Sequence, residues 1–483
     1  MNPQKLNHNT FTVQDLDRIH DASMEILAKQ GVIMDSESVL DLFKNNGFKT
    51  DGSKVFFTEK QVLSAVESAP ESFEIRARNP EKNLDLGKGI PVFCGTGGEI
   101  YIAEKDMTQR QGTMADYEKI AKLVQTSSIN QMTAHESVHP HELKAATSHL
   151  DMMLKDLTLC DVAATSSTQD AHCLQDCLDM LAIVFGGIDE LAKTPATLGI
   201  ISPLSPLQYA PDQADALVVL AQNRQPAAIT NMLLLGSSAP VSIPGALALG
   251  NAELLAGIVL SQIVRQGTPV IYGSTSCPLY MKNGASCLGS PETLIMSRGI
   301  AQLAAYYTLP CRTGGGLSDA HVLDGQAMAE SALNLNNAIN SGADYILHSF
   351  GMLSSYLATS LEKWVMDEEI CRYILASRQK IEVTPETLDL ETILSMGAQG
   401  NYLTHPSTFQ NFRSLFQHQL GNRDSHMVWS KNGSKDIVEQ ASALLEKRIE
   451  AYEQPQMDEG MAQELTAWVE RRKNEINAEP KIA

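Results

Sequence analysis

The sequence predicts an α/β protein built on a (β/α)8 TIM barrel, with an N-terminal helical segment and a C-terminal helical extension. Three observations predict it. Eight short runs rich in β-branched and small residues recur between residues 91 and 350, stretches of helical period with capping signals lie between them, and the two flanking regions lack that alternation. A doubly wound sheet is the alternative, because closure leaves no mark on a sequence.

The first 90 residues read as local and helical. Thr12 to Lys29 places Val13, Leu16, Ile19, Met24, Ile26 and Leu27 at helical spacing, and Gly31 stops it. Val39 to Asn46 gives a second helix ended by Gly47; Asp51 and Gly52 then turn the chain into the strand-like KVFFT, and a third helix runs from Glu59 to Ser68. This segment is expected to be a cap or a dimerisation module. The strand runs follow at 91–96, 131–136, 158–165, 196–202, 227–234, 269–275, 310–315 and 344–350. Thr113 to Asp116 and Ser290-Pro291-Glu292 are start signals for two of the intervening helices. From Pro385 the chain turns helical again through ETLDLETILSMG, a polar stretch and a charged amphipathic tail from Ser434 to Asn477, expected to be a solvated appendage or a subunit contact. The expected organisation is thus 1–90 cap, 91–384 barrel and 385–483 extension.

Composition narrows the function. With 37 basic against 57 acidic residues the net charge is −20, which repels polyanions and argues against a nucleic-acid partner. A 43% hydrophobic and 19% charged chain of 483 residues has the makings of a packed core, either as about three domains or as one barrel with additions. The opening residues lack a secretory pattern and no stretch offers about 18 uninterrupted apolar residues, so a cytoplasmic protein with no membrane partner is expected. The eight cysteines form no CxxC pair and read as reduced and mostly buried.

Barrel enzymes build their sites where the strands end. Here the strand ends are Gly95 to Gly98, His135-Glu136, Thr165-Ser166, Ser202-Pro203, Asn231, Ser274 to Ser276, Arg312 to Gly316 and His348 to Gly351. Arg312 and His348, on neighbouring strands, suit a carboxylate through charge-assisted hydrogen bonds; the competing reading pairs Arg312 with Glu99, Glu136 or Asp319. Phe93, Tyr101, Tyr306, Tyr307, Phe350 and Tyr356 lie on or near the expected mouth, either as faces for a methylated ammonium or as core. The glycines at 97–98 and 314–316 suit close approach of a phosphate or large cofactor, or plain loop geometry. His135-Glu136, His139-Pro140-His141 and His405 do not converge as metal ligands, and His139 to His141 is expected to open the helix after strand two; no resident metal is predicted. Neither GxSxG nor GxxxxGK[ST] occurs, which disfavours hydrolase and ATPase readings, and no strand-end lysine suggests an aldolase.

Longer motifs carry a resemblance. ILAKQGVIMDSESVLDLFKNNGF, IRARNPEKNLDLGKGIPVF, QRQGTMADYEKIAKLVQTS, GGGLSDAHVLDGQAMAESALN, SLEKWVMDEEI and QGNYLTHPSTFQNFRS occur in order along almost the whole chain. In these the chain resembles the trimethylamine methyltransferase family, in the branch without pyrrolysine. The resemblance implies a barrel that passes a methyl group from a methylated amine to the cobalt(I) of a cobalamin-type corrinoid held by a separate protein. The pyrrolysine region matches Ser318 to Asp324, with His321 at the special position, and its ordinary residues imply a quaternary amine. Glycine betaine is the expected substrate, giving dimethylglycine; proline betaine, carnitine and choline share the chemistry, and a non-catalytic amine-binding scaffold is the remaining alternative.

On that basis the carboxylate is expected near Arg312 and His348, and the trimethylammonium against Phe350, Tyr356, Phe93 and Tyr101, with Glu253 or Asp319 adding negative charge. Gly314, Gly315 and Gly316 are the expected corrinoid contact, with Asp319, His321, Gly97 and Gly98 beside them. A quaternary nitrogen leaves as a neutral amine, so no catalytic base or protein nucleophile is expected. The helical ends leave a homo-oligomer open.

Overall fold

Eight strands close into a parallel barrel in chain order: β1 (Val92–Cys94), β2 (Asn130–Thr133), β3 (Ala163–Ser166), β4 (Thr197–Ile201), β5 (Ala227–Asn231), β6 (Val270–Ser274), β7 (Cys311–Gly314) and β8 (Tyr345–Leu347). The computed structural model describes residues 10–478. Closure is the pairing of β8 with β1, Tyr345 opposite Val92 and Ile346 opposite Phe93, which excludes the doubly wound alternative. Every strand falls within or beside the run that predicted it. The barrel helices are α1 (Met114–Gln125), α2 (Ser148–Leu159), α3 (Ala171–Phe185), α4 (Pro211–Gln222), α5 (Ile243–Val264), α6 (Pro291–Tyr306), α7 (Gly325–Asn340) and α8 (Leu361–Ser377). Thr113 caps α1 in a capping box with Asp116, and Ser290 caps α6 with Pro291 in its first turn, as their sequences require. α2 begins only at Ser148, so His139 to His141 belongs to the long β2 loop and does not open that helix.

Strand alternation divides the core. Val92 and Cys94 join Met132, Ala163, Leu198, Ala228, Ile271, Tyr345 and Leu347 inside the barrel, while Phe93 and Ile346 join the layer between strands and helices. The lower end is plugged by a hairpin of Phe73–Ile75 and Leu84–Leu86, whose Ile75, Leu84 and Leu86 complete the interior cluster. The N-terminal region is therefore not purely helical. It also carries a sheet in the order Gln208–Tyr209, Val32–Met34, Lys54–Phe56, Lys49–Asp51, in which the first strand comes from the loop after β4.

By length and composition alone α5 is apolar enough to cross a membrane, but it is mostly buried, packed against α4, α6 and the N-terminal helices Val13–Lys29 and Glu59–Ser68. The C-terminal helices Ile437–Glu450 and Glu459–Ala478 strap onto the barrel. Arg448 bonds Glu368 and the Leu123 carbonyl, Arg472 bonds Asp176 at 2.7 Å, and Ala441, Leu465 and Val469 are fully buried. The expectation of a solvated tail fails for these helices, because their few apolar residues share one inward stripe. It holds for much of residues 379–414, where Ile381, Leu394, Leu403 and Phe409 are 71–82% exposed.

One buried ion pair ties the upper loops to the helix layer. Lys363 on α8 donates from Nζ to Asp367 Oδ2 and Ser331 Oγ, each at 2.7 Å, and to the Gly316 carbonyl at 3.1 Å; Asp367 in turn accepts from the Gly351 amide. Removing one partner strands the other charge in low dielectric, so Asp367→Ala is expected to cost about 3–5 kcal/mol in urea unfolding. The pair replacement Lys363→Met with Asp367→Leu is expected to cost less; equal losses would show that charge pairing is not what the cluster supplies.

Candidate active site

Above the C-terminal ends of the strands lies a cavity of about 920 Å3, lined from every side of the barrel. The strand ends singled out from sequence reach it: Gly97 and Gly98 after β1, His135 and Glu136 after β2, Thr165 and Ser166 of β3, Ser202 and Pro203 after β4, Asn231 of β5, Thr275 after β6, Arg312 of β7 and His348 after β8. Two small sheets build up the rim. One joins Tyr101–Ala103 and Gln109–Gln111 of the β1 loop to Met352–Leu353 and Ala358–Thr359 of the β8 loop; the other joins Leu234–Leu235 to Cys277–Tyr280 and Ala285–Ser286. Glu136, His348 and Tyr356 adopt left-handed backbone at φ +60°, +55° and +77°. Such geometry costs of order 1–3 kcal/mol per residue and persists only where surrounding structure imposes it.

Arg312 is the dominant charge. It is 3% exposed, and among the described residues its one side-chain hydrogen bond is from Nη1 to Thr230 Oγ1 at 3.1 Å, with Nε unpartnered. Gly273 on β6 makes room for it, since a Cβ there would stand 2.7 Å from Arg312 Cβ. Burial pulls its pKa down from the usual range, yet a guanidinium keeps its charge in proteins. Among the described residues, none of the acids expected to compete for it does so. Glu136 faces His139 and Gln169 at 3.4 Å each, Asp319 accepts from the Leu288 and Gly289 amides and Ser355, and Glu99 stands beside His348.

His348 lies beside Arg312 in the wall, its ring edge-on to Tyr356 at 4.7 Å and its Nδ1 3.7 Å from Glu99 Oε1. Burial, with the adjoining guanidinium, holds the imidazole well below its ordinary pKa, and burial holds the Glu99 carboxyl well above its own. Both shifts favour the uncharged form, and the imidazole is neutral near pH 7. His135 has neither ring nitrogen hydrogen-bonded, and burial, then His149, presses its pKa down to about 3. Tyr356 Oη and Asn231 Oδ1 are also buried without partners. Buried polar atoms are normally satisfied, so this concentration around one cavity marks it as the candidate ligand site.

Several sequence expectations are corrected here. Phe93 and Phe350 do not line the cavity; Phe93 meets Phe350, and Phe350 meets Trp364, in tilted ring contacts in the layer between barrel and helices, because the strand period turns Phe93 outward. Tyr101 sits on the rim hairpin against Ala320 and Leu353, while Tyr306 and Tyr307 pack on His20. Tyr356 is thus the one Phe, Tyr or Trp among the described lining residues. Glu253 is not free to face a cation: it accepts from Ser205 Oγ, the Leu207 amide and Asn231 Nδ2 at 2.8–2.9 Å and so holds Asn231 and the β4 loop in place.

Gly314, Gly315 and Gly316 are buried, and a Cβ on them would meet Leu317, Ser349 and Ser349 O at 2.6–2.7 Å, so their smallness serves internal packing and not a cofactor surface. Asp319 ties loops together, and His321 is exposed outside the cavity, bonded to Ser354 Oγ at 3.0 Å. Thr230 and the orphaned carboxyl of Glu99 were missed as site residues. The first was signalled only by its place on a strand, the second only by the glycines before it.

Comparison with known proteins agrees with the barrel and its motifs. The family model described as trimethylamine methyltransferase (MTTB) matches residues 4–477. The glycine betaine methyltransferase of Desulfitobacterium hafniense (strain Y51) is 33% identical over 473 residues, covering 98% of each chain. The trimethylamine methyltransferase MttB of D. hafniense (strain DSM 10664 / DCB-2) is 29% identical, covering 96% of this chain and 94% of its own, and the proline betaine:corrinoid methyltransferase of Eubacterium limosum is 28% identical, covering 92% and 94%.

The neutral His135 gives the site a pH signature. Its folded pKa of about 3 lies below its ordinary 6.5, so its contribution is complete above pH 6.5 and is lost as pH falls toward 3. Between pH 7.5 and 5 the native chain should lose roughly 1–2 kcal/mol more stability than His135→Gln in paired denaturation curves. Parallel curves for the two proteins would place a proton on His135 in the folded state.

Proposed function

The chain belongs to the trimethylamine methyltransferase family, and from that premise we propose that it transfers a methyl group from a quaternary amine, in the first place glycine betaine, to the cobalt(I) of a corrinoid carried by a separate protein. The observation that carries the reading is the buried Arg312 guanidinium without a carboxylate partner among the described residues, beside a neutral His348, in a cavity at the strand ends. A betaine brings the missing anion and a permanent cation in one small molecule. The 33% identity to a glycine betaine methyltransferase supports that choice.

The chemistry asks little of the protein. The breaking C–N bond leaves its electron pair on nitrogen, so a neutral amine departs and no proton has to move. When its carrier docks, the corrinoid supplies the nucleophilic electron pair. What this chain contributes is binding and placement: Arg312 and His348 fix the carboxylate, the Tyr356 face attracts the alkylated nitrogen, and the walls replace water around the charges. The rim suits a docking macrocycle in one respect, since Leu204 and Met232 line the cavity and are 58% and 37% exposed, apolar cover of the kind a partner surface buries. The cavity is also much larger than glycine betaine, which favours a bulkier carboxylated betaine as the second reading.

The test supplies purified protein with Co(I) cobalamin or a corrinoid protein and follows the loss of Co(I) absorbance with glycine betaine, proline betaine, carnitine, choline and trimethylamine. Carboxylated quaternary amines are expected to be demethylated; transfer from trimethylamine alone would overturn the reading. By calorimetry Arg312→Ala should weaken glycine betaine binding by about 2 kcal/mol or more while leaving choline unchanged. Unchanged betaine affinity would remove Arg312 from the site.

A further inference from the structure

Glu99 is the carboxyl that the proposed chemistry leaves unused. It follows directly on Gly97 and Gly98, which line the cavity, and its backbone carbonyl accepts from the His139 amide at 2.8 Å, which fixes the β1 loop against the β2 loop. The side chain is fully buried and neither carboxyl oxygen has a hydrogen-bond partner. Among the described residues no Lys or Arg pairs with it, and its one basic neighbour within 4.0 Å is His348, at 3.7 Å from Nδ1. That same Nδ1 is sealed from solvent and unpartnered, whereas Nε2 is not among the sealed, unpartnered atoms and His348 itself lines the cavity. The ring therefore turns one nitrogen inward to the acid and keeps the other for the ligand.

The protonation states follow from burial. Burial without hydrogen bonds favours the protonated form of the carboxyl, and burial beside a guanidinium favours the neutral imidazole. A neutral acid has a proton to give, and a neutral imidazole can accept at Nδ1 only when its own proton is on Nε2. Such second partners commonly decide which ring nitrogen is available to a ligand.

We propose that Glu99 is a positioning residue for the substrate's anionic end: its carboxylic acid faces His348 Nδ1, fixes the imidazole as the Nε2–H tautomer, and so sets a second hydrogen-bond donor beside Arg312. The inference rests on the betaine reading only for the identity of the anion. In the other tautomer the ring would aim a lone pair at the carboxylate and oppose Arg312. The 3.7 Å separation is slack of the kind that closes when a ligand draws the ring into place. The arrangement discriminates by chemistry, favouring carboxylated cations over cations of the same charge without a carboxylate.

The test is histidine-selective 15N NMR of the intact protein, with the His348 signals assigned by their loss in His348→Gln. The expected result is a bare Nδ1 and a protonated Nε2 in the free protein, retained with glycine betaine. A proton on Nδ1 would overturn the proposal, and this measurement needs no Glu99 variant to fold. Calorimetry then separates roles. Glu99→Leu should weaken glycine betaine about tenfold and leave tetramethylammonium within twofold, while Glu99→Gln, whose amide N–H can replace the acid proton, should stay within threefold of the native protein. Glu99→Leu that binds glycine betaine normally, or loses both ligands alike, would also overturn it. Should the native protein bind no betaine, the functional reading fails first, and the tautomer in the free protein still decides the role of Glu99.

Discussion

A guanidinium held in the wall of a barrel, with no carboxylate paired to it among the described residues, is the constraint around which the upper half of this molecule is organised. Burying a cation is costly, and the usual remedy is an adjacent acid. Arg312 has instead, among the described residues, a single threonine hydroxyl, with room made by Gly273. The three acids near enough in sequence logic to pair with it are otherwise placed: Asp319 accepts from two amides and a hydroxyl, Glu136 faces His139 and Gln169, and Glu99 stands beside His348 with its pKa raised by burial. The proposed betaine carboxylate would answer that positive charge. Neutrality of the His348 imidazole follows from burial and from the same field, since a second cation beside Arg312 would be repelled.

Rigid supports make such an arrangement tolerable. The Lys363–Asp367 pair grips the loops after β7 and β8 from below, through the Gly316 carbonyl and the Gly351 amide. Glu253, itself buried, locks Asn231 and the β4 loop. The N-terminal hairpin fills the opposite end of the barrel, and the C-terminal helices brace α1, α2, α3 and α8. With the loops so held, the left-handed backbone at Glu136, His348 and Tyr356 can persist and aim side chains inward.

Much of this was legible in the sequence. The eight strands announced themselves by composition and spacing, and because a barrel collects its site at the strand ends, naming the strands nearly named the cavity. Arg312, His348, His135 and Asn231 came from that rule alone. What sequence could not supply was direction. Phe93 and Phe350 looked like a cage for an ammonium because they stand at the mouth in sequence, but one residue of strand phase turns Phe93 into the helix layer. The triple glycine looked like a cofactor surface because open and crowded glycines are written with the same letter; the contacts of Ser349 and Leu317 show the crowding. The helical tail looked solvated because its buried stripe is narrow and its partners, Asp176 and Glu368, lie far away in sequence. Glu99 has only the glycines before it as a local mark, since its meaning comes from a histidine about 250 residues later.

The most direct measurement of the central claim is a crystal structure of the protein with glycine betaine bound. The account predicts the carboxylate within hydrogen-bond distance of Arg312 and of His348 Nε2, with the trimethylammonium toward Tyr356 and one methyl facing the open mouth. A betaine seated with its carboxylate elsewhere, and Arg312 still bonded to Thr230 alone, would contradict it.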